Sequence, residues 1–100
     1  MAQTPEGRVK DAIKKVLNEN GIWYFMPAAN GFGKVGVPDF ICCWNGKFFA
    51  IEAKAKGKRE YTTANQKNTI EEIRSARGWA LVVDDVEQLK EFINEQRRKD

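Results

Sequence analysis

The chain has 100 residues, of which 42% are hydrophobic, and this composition suits one small domain, residues 1–100, built around a single core. Its formal net charge of +3 is mild, and the complete absence of His excludes His-ligated zinc and any catalysis that needs a His base. No apolar segment approaches the roughly 20 residues of a membrane span and the start MAQTPEGR is polar, so we expect a cytoplasmic protein, or one of the host cytoplasm if virus-encoded, with no membrane partner.

The first predicted element is a helix that begins after Thr4 and ends at Asn20-Gly21. Thr4 suits the N-cap and Pro5 the first helical position, and the apolar stripe that follows consists of Val9, Ala12, Ile13, Val16 and Leu17. Glu6 precedes this stripe by one turn and lies on the same side. It is either an acidic residue favourable to the helix dipole or an additional acidic ligand that points inward.

A short aromatic strand, Ile22 to Met26, leads into a loop from Pro27 to Gly36 that contains three glycines and should be mobile. The glycine spacing matches neither a P-loop nor a dinucleotide-binding turn, so we expect no nucleotide cofactor. Lys34 in this loop is either solvated or a phosphate contact.

The stretch from Val37 to Lys54 predicts a hairpin whose two-residue turn is Asn45-Gly46. Counting outward from that turn pairs Ile41 with Ala50 and Asp39 with Glu52, which places two carboxylates side by side. Like charges at this distance are destabilising, so a positive charge is needed between the strands, and a divalent metal is the natural candidate. Lys54 lies two residues after Glu52 and returns to the same face.

Both faces of the hairpin are apolar, and we therefore expect helices to cover the sheet on both sides. Cys42 and Cys43 are adjacent on one strand and point to opposite faces. Neither a metal site nor an ordinary disulfide is indicated, and both thiols are expected in the core.

A basic loop, Lys56 to Glu60, precedes a helix that the capping box Thr63 to Gln66 opens and Gly78 ends. Gln66 has a structural role in that box, and its first-turn position also suits contact with a phosphate; the pattern favours neither. A buried strand follows, Trp79 to Val83, and Asp84-Asp85 then cap a final helix.

The order α-β-β-β-α-β plus a C-terminal helix, with Pro38-Asp39 and Glu52-Ala53-Lys54, resembles the PD-(D/E)xK nuclease superfamily. This resemblance implies a restriction-endonuclease-like α/β fold, a mixed sheet flanked by helices. The surrounding segments are similar to those of stand-alone virus-type replication-repair nuclease (VRR-NUC) domains: Gly36-Val37-Pro38-Asp39-Phe40, Asn45-Gly46-Lys47-Phe48, Ile51-Glu52-Ala53-Lys54 and Thr63 to Gln66. Ala53 departs from the family, where a larger aliphatic residue is more common.

The resemblance implies an Mg²⁺- or Mn²⁺-dependent deoxyribonuclease that acts as a homodimer on branched DNA such as four-way (Holliday) junctions. The metal ligands it implies are Asp39, Glu52 and the backbone carbonyl of Ala53, with Glu6 as a further acidic residue, while Lys54 and Gln66 would lie at the scissile phosphate. The candidate DNA contacts are the basic residues Lys34, Lys56, Lys58, Arg59 and Lys67. Two alternatives stay open: a restriction-type or generic DNA nuclease, and a non-catalytic nucleic-acid-binding module.

Overall fold

A computed structural model describes residues 3–28 and 33–99, and it shows the predicted order of helices and strands. The elements are α1 (Pro5–Glu19), β1 (Trp23–Phe25), β2 (Phe40–Trp44), β3 (Lys47–Ala53), a short 3₁₀ helix (Arg59–Tyr61), α2 (Ala64–Ser75), β4 (Trp79–Val83) and α3 (Val86–Arg98). The sequence did not predict the 3₁₀ helix, which forms inside and just after the expected basic loop. Part of the expected mobile loop, residues 29–32, lies outside the described residues.

The four strands form one mixed sheet in the order β1-β2-β3-β4. The first three are antiparallel neighbours, whereas β4 runs parallel to β3. The predicted hairpin register is confirmed, since Trp44 pairs with Lys47 and Ile41 with Ala50. The turn residues Asn45 and Gly46 both have positive φ, 51° and 78°, as a type I′ turn requires.

The helices cover the two faces of the sheet unequally. α1 and α3 contact each other and close one face over a continuous core that includes Ile13, Phe40, Phe49 and Leu89. α2 lies on the other face and packs chiefly against β4. The chain is therefore an α/β protein with a mixed sheet flanked by helices, as predicted.

The face under α2 is not fully covered, which corrects two expectations. Trp23, Phe25 and Phe48 are 62%, 47% and 44% exposed, and Cys43 between them is exposed rather than buried, although Cys42 is in the core. The 12 residues of α2 lie near β4, and on this face of the sheet no helix among the described residues covers β1, which α1 contacts from the opposite face. The alternation of side chains along the hairpin strands showed that this face is apolar, but it could not show how much of the face a helix covers.

Gly36 fixes the approach of the chain to the hairpin. Its φ is +77°, and a Cβ atom at this position would stand 2.5 Å from the backbone oxygen of Asn65 in α2. Only a glycine allows this contact, which holds the segment before β2 against the N-terminal turn of α2.

A membrane-spanning helix is absent from residues 3–28 and 33–99, because none of the helices there combines the necessary length with the necessary hydrophobicity.

Candidate active site

Two carboxylates lie together where the β2–β3 hairpin opens. Phe40 pairs with Ile51 at the end of the ladder, so Asp39 and Glu52 are the next residues opposite each other. The backbone N–H of Ala53 donates a hydrogen bond of 2.9 Å to Asp39 Oδ2, which fixes that carboxylate against β3. Glu52 is only 4% exposed and lies opposite Asp39, beyond the last ladder pair. The pairing predicted from the turn is therefore present.

Lys54 and Gln66 complete this cluster from β3 and α2. The Lys54 ammonium lies 3.7 Å from Glu52 Oε2 and donates a hydrogen bond of 2.8 Å to Gln66 Oε1. The Gln66 amide in turn donates from Nε2 to Glu52 Oε2, also at 2.8 Å. The four predicted side chains, Asp39, Glu52, Lys54 and Gln66, thus form one connected group.

The capping box explains how Gln66 reaches the carboxylates. Gln66 Oε1 accepts the backbone N–H of Thr63 at 2.9 Å, and the Thr63 hydroxyl accepts the backbone N–H of Gln66 at 3.2 Å. The same amide oxygen also accepts the Lys54 ammonium, while the amide nitrogen is used by Glu52. Gln66 therefore both caps α2 and binds two cluster residues, and its contact with a phosphate stays a prediction.

Burial makes the charge on Glu52 costly. Desolvation and the neighbouring charge of Asp39 raise the pKa of Glu52 to about 7, against the opposing effect of the Lys54 ammonium. Its Oε1 atom is buried and has no hydrogen-bond partner among residues 3–28 and 33–99, which is rare for a polar atom in a folded protein. This oxygen marks a position where a partner outside the chain would be favourable.

Helix α1 adds a residue that the sequence analysis did not single out. The Lys10 ammonium lies 3.0 Å from Glu6 Oε2 and 3.6 Å from Asp39 Oδ1. Glu6 therefore approaches the cluster, but its side chain is 46% exposed and it contacts Asp39 through Lys10. The sequence contained one signal for Lys10, since Glu6 and Lys10 have the i, i+4 spacing of a helical ion pair.

The carboxylates have an arrangement that suits a hard cation. Asp39 and Glu52 each have one oxygen fixed by a protein hydrogen bond, while within the described residues Asp39 Oδ1 contacts the Lys10 ammonium and Glu52 Oε1 has no hydrogen-bond partner. Mg²⁺ and Mn²⁺ take oxygen ligands and retain waters, so this donor set fits them. Residues 3–28 and 33–99 contain no group of three or more Cys, Asp or Glu side chains placed to hold a metal. A cation here would depend on two carboxylates, a backbone carbonyl such as that of Ala53, and water.

The candidate DNA contacts occupy different surroundings. Lys56, Lys58 and Arg59 are exposed after β3, and the Lys58 ammonium lies 5.0 Å from the centre of the Tyr61 ring. Lys67, also exposed, lines a shallow cavity of about 260 Å³ together with Arg59. Lys34 instead forms an ion pair of 2.9 Å with Glu72, so a phosphate would have to compete with a carboxylate for it.

No protein-family model matches this chain, and a search of curated proteins finds no significant match.

Proposed function

We propose that this protein is an Mg²⁺- or Mn²⁺-dependent endonuclease of the PD-(D/E)xK type, similar to stand-alone VRR-NUC domains, that hydrolyses DNA phosphodiester bonds. The observation that carries the proposal is the Oε1 atom of Glu52, which is buried beside Asp39 and has no hydrogen-bond partner in the described part of the chain. A carboxylate pair with a purely structural role would be expected to satisfy its buried oxygens within the protein. Here Glu52 Oε1 has no hydrogen-bond partner within the described residues and Asp39 Oδ1 contacts the Lys10 ammonium, and in this proposal these two oxygens bind the cation.

In this proposal Asp39 and Glu52 bind the cation, and the Ala53 carbonyl next to them is the third protein ligand. The chemistry that the bound cation supplies is neutralisation of phosphate charge and a lower pKa for a coordinated water. The hydrogen bonds from Ala53 N–H to Asp39 Oδ2 and from Gln66 Nε2 to Glu52 Oε2 restrain both carboxylates from rotating. The second oxygen of each carboxylate is therefore held in place for the cation.

Lys54 is the residue that we propose acts at the scissile phosphate. Its side chain is 12% exposed and its ammonium donates to Gln66 Oε1, so the positive charge is held beside the carboxylates. From this position it orients the attacking water or stabilises the negative charge that develops on the phosphate oxygens. Gln66 acts as the positioning residue, and the N-terminus of α2 adds a partial positive charge on the same side.

The proposed DNA contacts are the basic residues that flank the cluster. Lys56, Lys58 and Arg59 follow β3 directly, and Lys67 lies on the first turn of α2, one residue after Gln66. These side chains would hold phosphates without reading base sequence. The resulting affinity should fall steeply with salt, because binding releases counterions from DNA.

We also propose that the protein acts as a homodimer, which suits the paired cuts needed on a four-way junction. The support is the uncovered sheet face formed by Trp23, Phe25, Ile41, Cys43 and Phe48, which we call the open face. From the exposed fractions, its three aromatic side chains expose roughly 300 Å² in total, given that an aromatic residue buries about 150–250 Å². Patches of this size on a monomer commonly mark an interaction site.

A second copy of the chain is the occupant that this face fits best. The five residues of the open face carry no charge, whereas the chain as a whole carries +3, so a two-fold axis would bring no like charges together there. A groove of about 410 Å³ continues the face beside α2, and it is lined by apolar residues that include Val37, Phe48 and Ile73 and by the ion pair of Lys34 and Glu72. The exposed aromatic side chains and the groove would form the apolar centre of such an interface, and the polar residues around them would supply the rest of the roughly 800 Å² that each partner contributes to a standard interface.

The proposed function is tested by incubating the protein with linear, flapped and four-way DNA, with and without Mg²⁺ or Mn²⁺. We expect cleavage only with the cation, preference for the four-way junction, and no cleavage by Asp39→Asn or Glu52→Gln. DNA binding should persist or strengthen in these variants because repulsion of phosphate falls. Glu91→Gln, on the exposed side of α3, is the matched control and should cleave normally.

Three outcomes would decide against parts of this proposal. Cleavage that survives in Asp39→Asn would remove the site assignment. Equal cleavage of linear and four-way DNA would leave a generic nuclease. DNA binding without cleavage under any cation would favour the non-catalytic binding module.

A further inference from the structure

Among the described residues, Lys10 is the basic residue whose ammonium contacts Asp39, at the Oδ1 atom. Its ammonium lies 3.6 Å from Asp39 Oδ1, while Asp39 Oδ2 is already engaged by the Ala53 N–H. The Lys10 side chain is 28% exposed, so solvent screens this contact less than it screens an ordinary surface ion pair. Lys10 therefore contacts the same oxygen that the proposed metal would take.

Glu6 holds Lys10 in this position. The 3.0 Å contact between Lys10 Nζ and Glu6 Oε2 spans one helical turn, and it directs the lysine towards the sheet instead of into solvent. Burial alone would lower the pKa of Lys10, but the hydrogen bonds and charges of Glu6 and Asp39 outweigh this and raise it. Lys10 is thus a permanent positive charge at the cluster.

Without a metal, the negative and positive charges of the cluster differ by only one. Three carboxylates, Glu6, Asp39 and Glu52, face two ammonium groups, Lys10 and Lys54. A divalent cation placed at Asp39 and Glu52 would add two positive charges beside an ammonium that is already there. Like charges at such a distance repel each other appreciably in the partly buried surroundings of a protein.

We propose that Lys10 is a built-in counter-ion that competes with the divalent cation for Asp39 and so keeps the metal affinity of the DNA-free protein low. This inference rests on the proposed metal site. In the metal-free protein Lys10 neutralises Asp39 and connects α1 to the start of β2. When the cation binds, Lys10 leaves Asp39 and keeps its contact with Glu6. Glu6 then serves to hold Lys10, and is not itself a metal ligand.

The competition is measured by titrating Mn²⁺ into the DNA-free protein, with calorimetry or the loss of the free-Mn²⁺ electron paramagnetic resonance signal as readout. Lys10→Met keeps the aliphatic stem but removes the charge, and it should bind Mn²⁺ about tenfold more tightly, which corresponds to about 1.4 kcal/mol. Lys10→Arg keeps the charge and should stay within about threefold of the parent. Lys14→Met is the matched control, because Lys14 lies on the same helix and forms an ion pair of 3.7 Å with exposed Asp11, away from Asp39. The Mn²⁺ affinity of this variant should be unchanged.

A second readout separates competition from general loss of structure. In EDTA, Lys10→Met should melt at a lower temperature than the parent, since Asp39 has lost its counter-ion, and saturating Mn²⁺ should raise its melting temperature by more than that of the parent. Parent protein that binds Mn²⁺ together with a Lys10→Met variant that binds it equally or more weakly would overturn the role of Lys10 while leaving the metal site intact. Absence of Mn²⁺ binding in the parent and in Lys10→Met would overturn both.

Discussion

Glu52 is buried, and the surrounding protein compensates only part of the cost of charging its carboxyl group. Its pKa in the folded protein is raised to about 7, from an ordinary value of 4.5 in the unfolded chain. The folded state therefore holds the proton more tightly than the unfolded state does. The stability from this group is fully present below pH 4.5 and is lost as the pH rises through 7.

This difference predicts how Glu52→Gln changes stability with pH. Each pKa unit corresponds to about 1.4 kcal/mol, so the metal-free protein should lose on the order of 3 kcal/mol between pH 4.5 and 8 through Glu52. Glu52→Gln cannot ionise, and its free energy of unfolding relative to the parent should rise over this range. Urea unfolding in EDTA at several pH values measures this, with Glu91→Gln as the control. Parallel curves for parent and Glu52→Gln would show that the pKa of Glu52 is not raised.

Among single residues, those whose role depends on local chemistry could be predicted from the sequence. Asn45 and Gly46 fix the turn, the turn fixes the register, and the register brings Asp39 opposite Glu52. Lys10 could not be predicted in the same way. Its contact with Asp39 depends on where α1 crosses the end of the sheet, and this crossing is set by the packing of the whole core.

At the scale of elements, the contact between the segment before β2 and the first turn of α2 decides the shape of the site. Gly36 lies where a Cβ atom would overlap Asn65, the residue before Gln66. Gly57 provides a matched comparison, because its φ of +81° is similar but a Cβ atom there would contact nothing. Comparing an alanine substitution at Gly36 with one at Gly57 therefore separates the cost of steric overlap from the cost of backbone strain.

We predict that Gly57→Ala costs about 1–2 kcal/mol, the usual cost of a left-handed conformation for a residue with a Cβ atom. Gly36→Ala should cost at least about 1 kcal/mol more, because α2 must also move away from the hairpin. Urea unfolding measures both changes. Junction cleavage should fall much further in Gly36→Ala, since Gln66 shifts relative to Glu52 and Lys54. Equal losses of stability in the two variants would mean that the approach at Gly36 is not as close as the structure shows.

The elements themselves were largely predictable, because their ends carry local chemical signals. Thr4 with Pro5, the capping box at Thr63 and the aspartate before the last helix all mark helix starts that the structure confirms. The open face was not predictable. The period-2 pattern of a strand shows which side chains share a face, but it does not show whether a helix is long enough to cover them.

At the scale of the whole molecule, the open face predicts self-association. The parent should sediment as a dimer at micromolar concentration, and Trp23→Lys should be a monomer, because it would place a charge on each side of the interface. Tyr61→Lys changes an aromatic residue that is 66% exposed outside the open face, and it should remain dimeric. A monomeric parent, or a dimeric Trp23→Lys, would contradict this assignment.

Cys43 offers an independent readout of the same interface. It lies between Trp23 and Phe48 on the open face, whereas Cys42 is buried in the core. Alkylation of Cys43 should therefore be slow in the dimer and fast in Trp23→Lys.

The central claim is that Asp39 and Glu52 together hold a divalent cation, and diffraction from crystals grown or soaked with Mn²⁺ tests it most directly. We predict an anomalous difference peak within about 2.5 Å of oxygens from both carboxylates, and no such peak in crystals of Asp39→Asn. Mn²⁺-soaked crystals of the parent with no peak at either carboxylate, or with Lys10 still in contact with Asp39 Oδ1 and the only peak elsewhere, would contradict the claim.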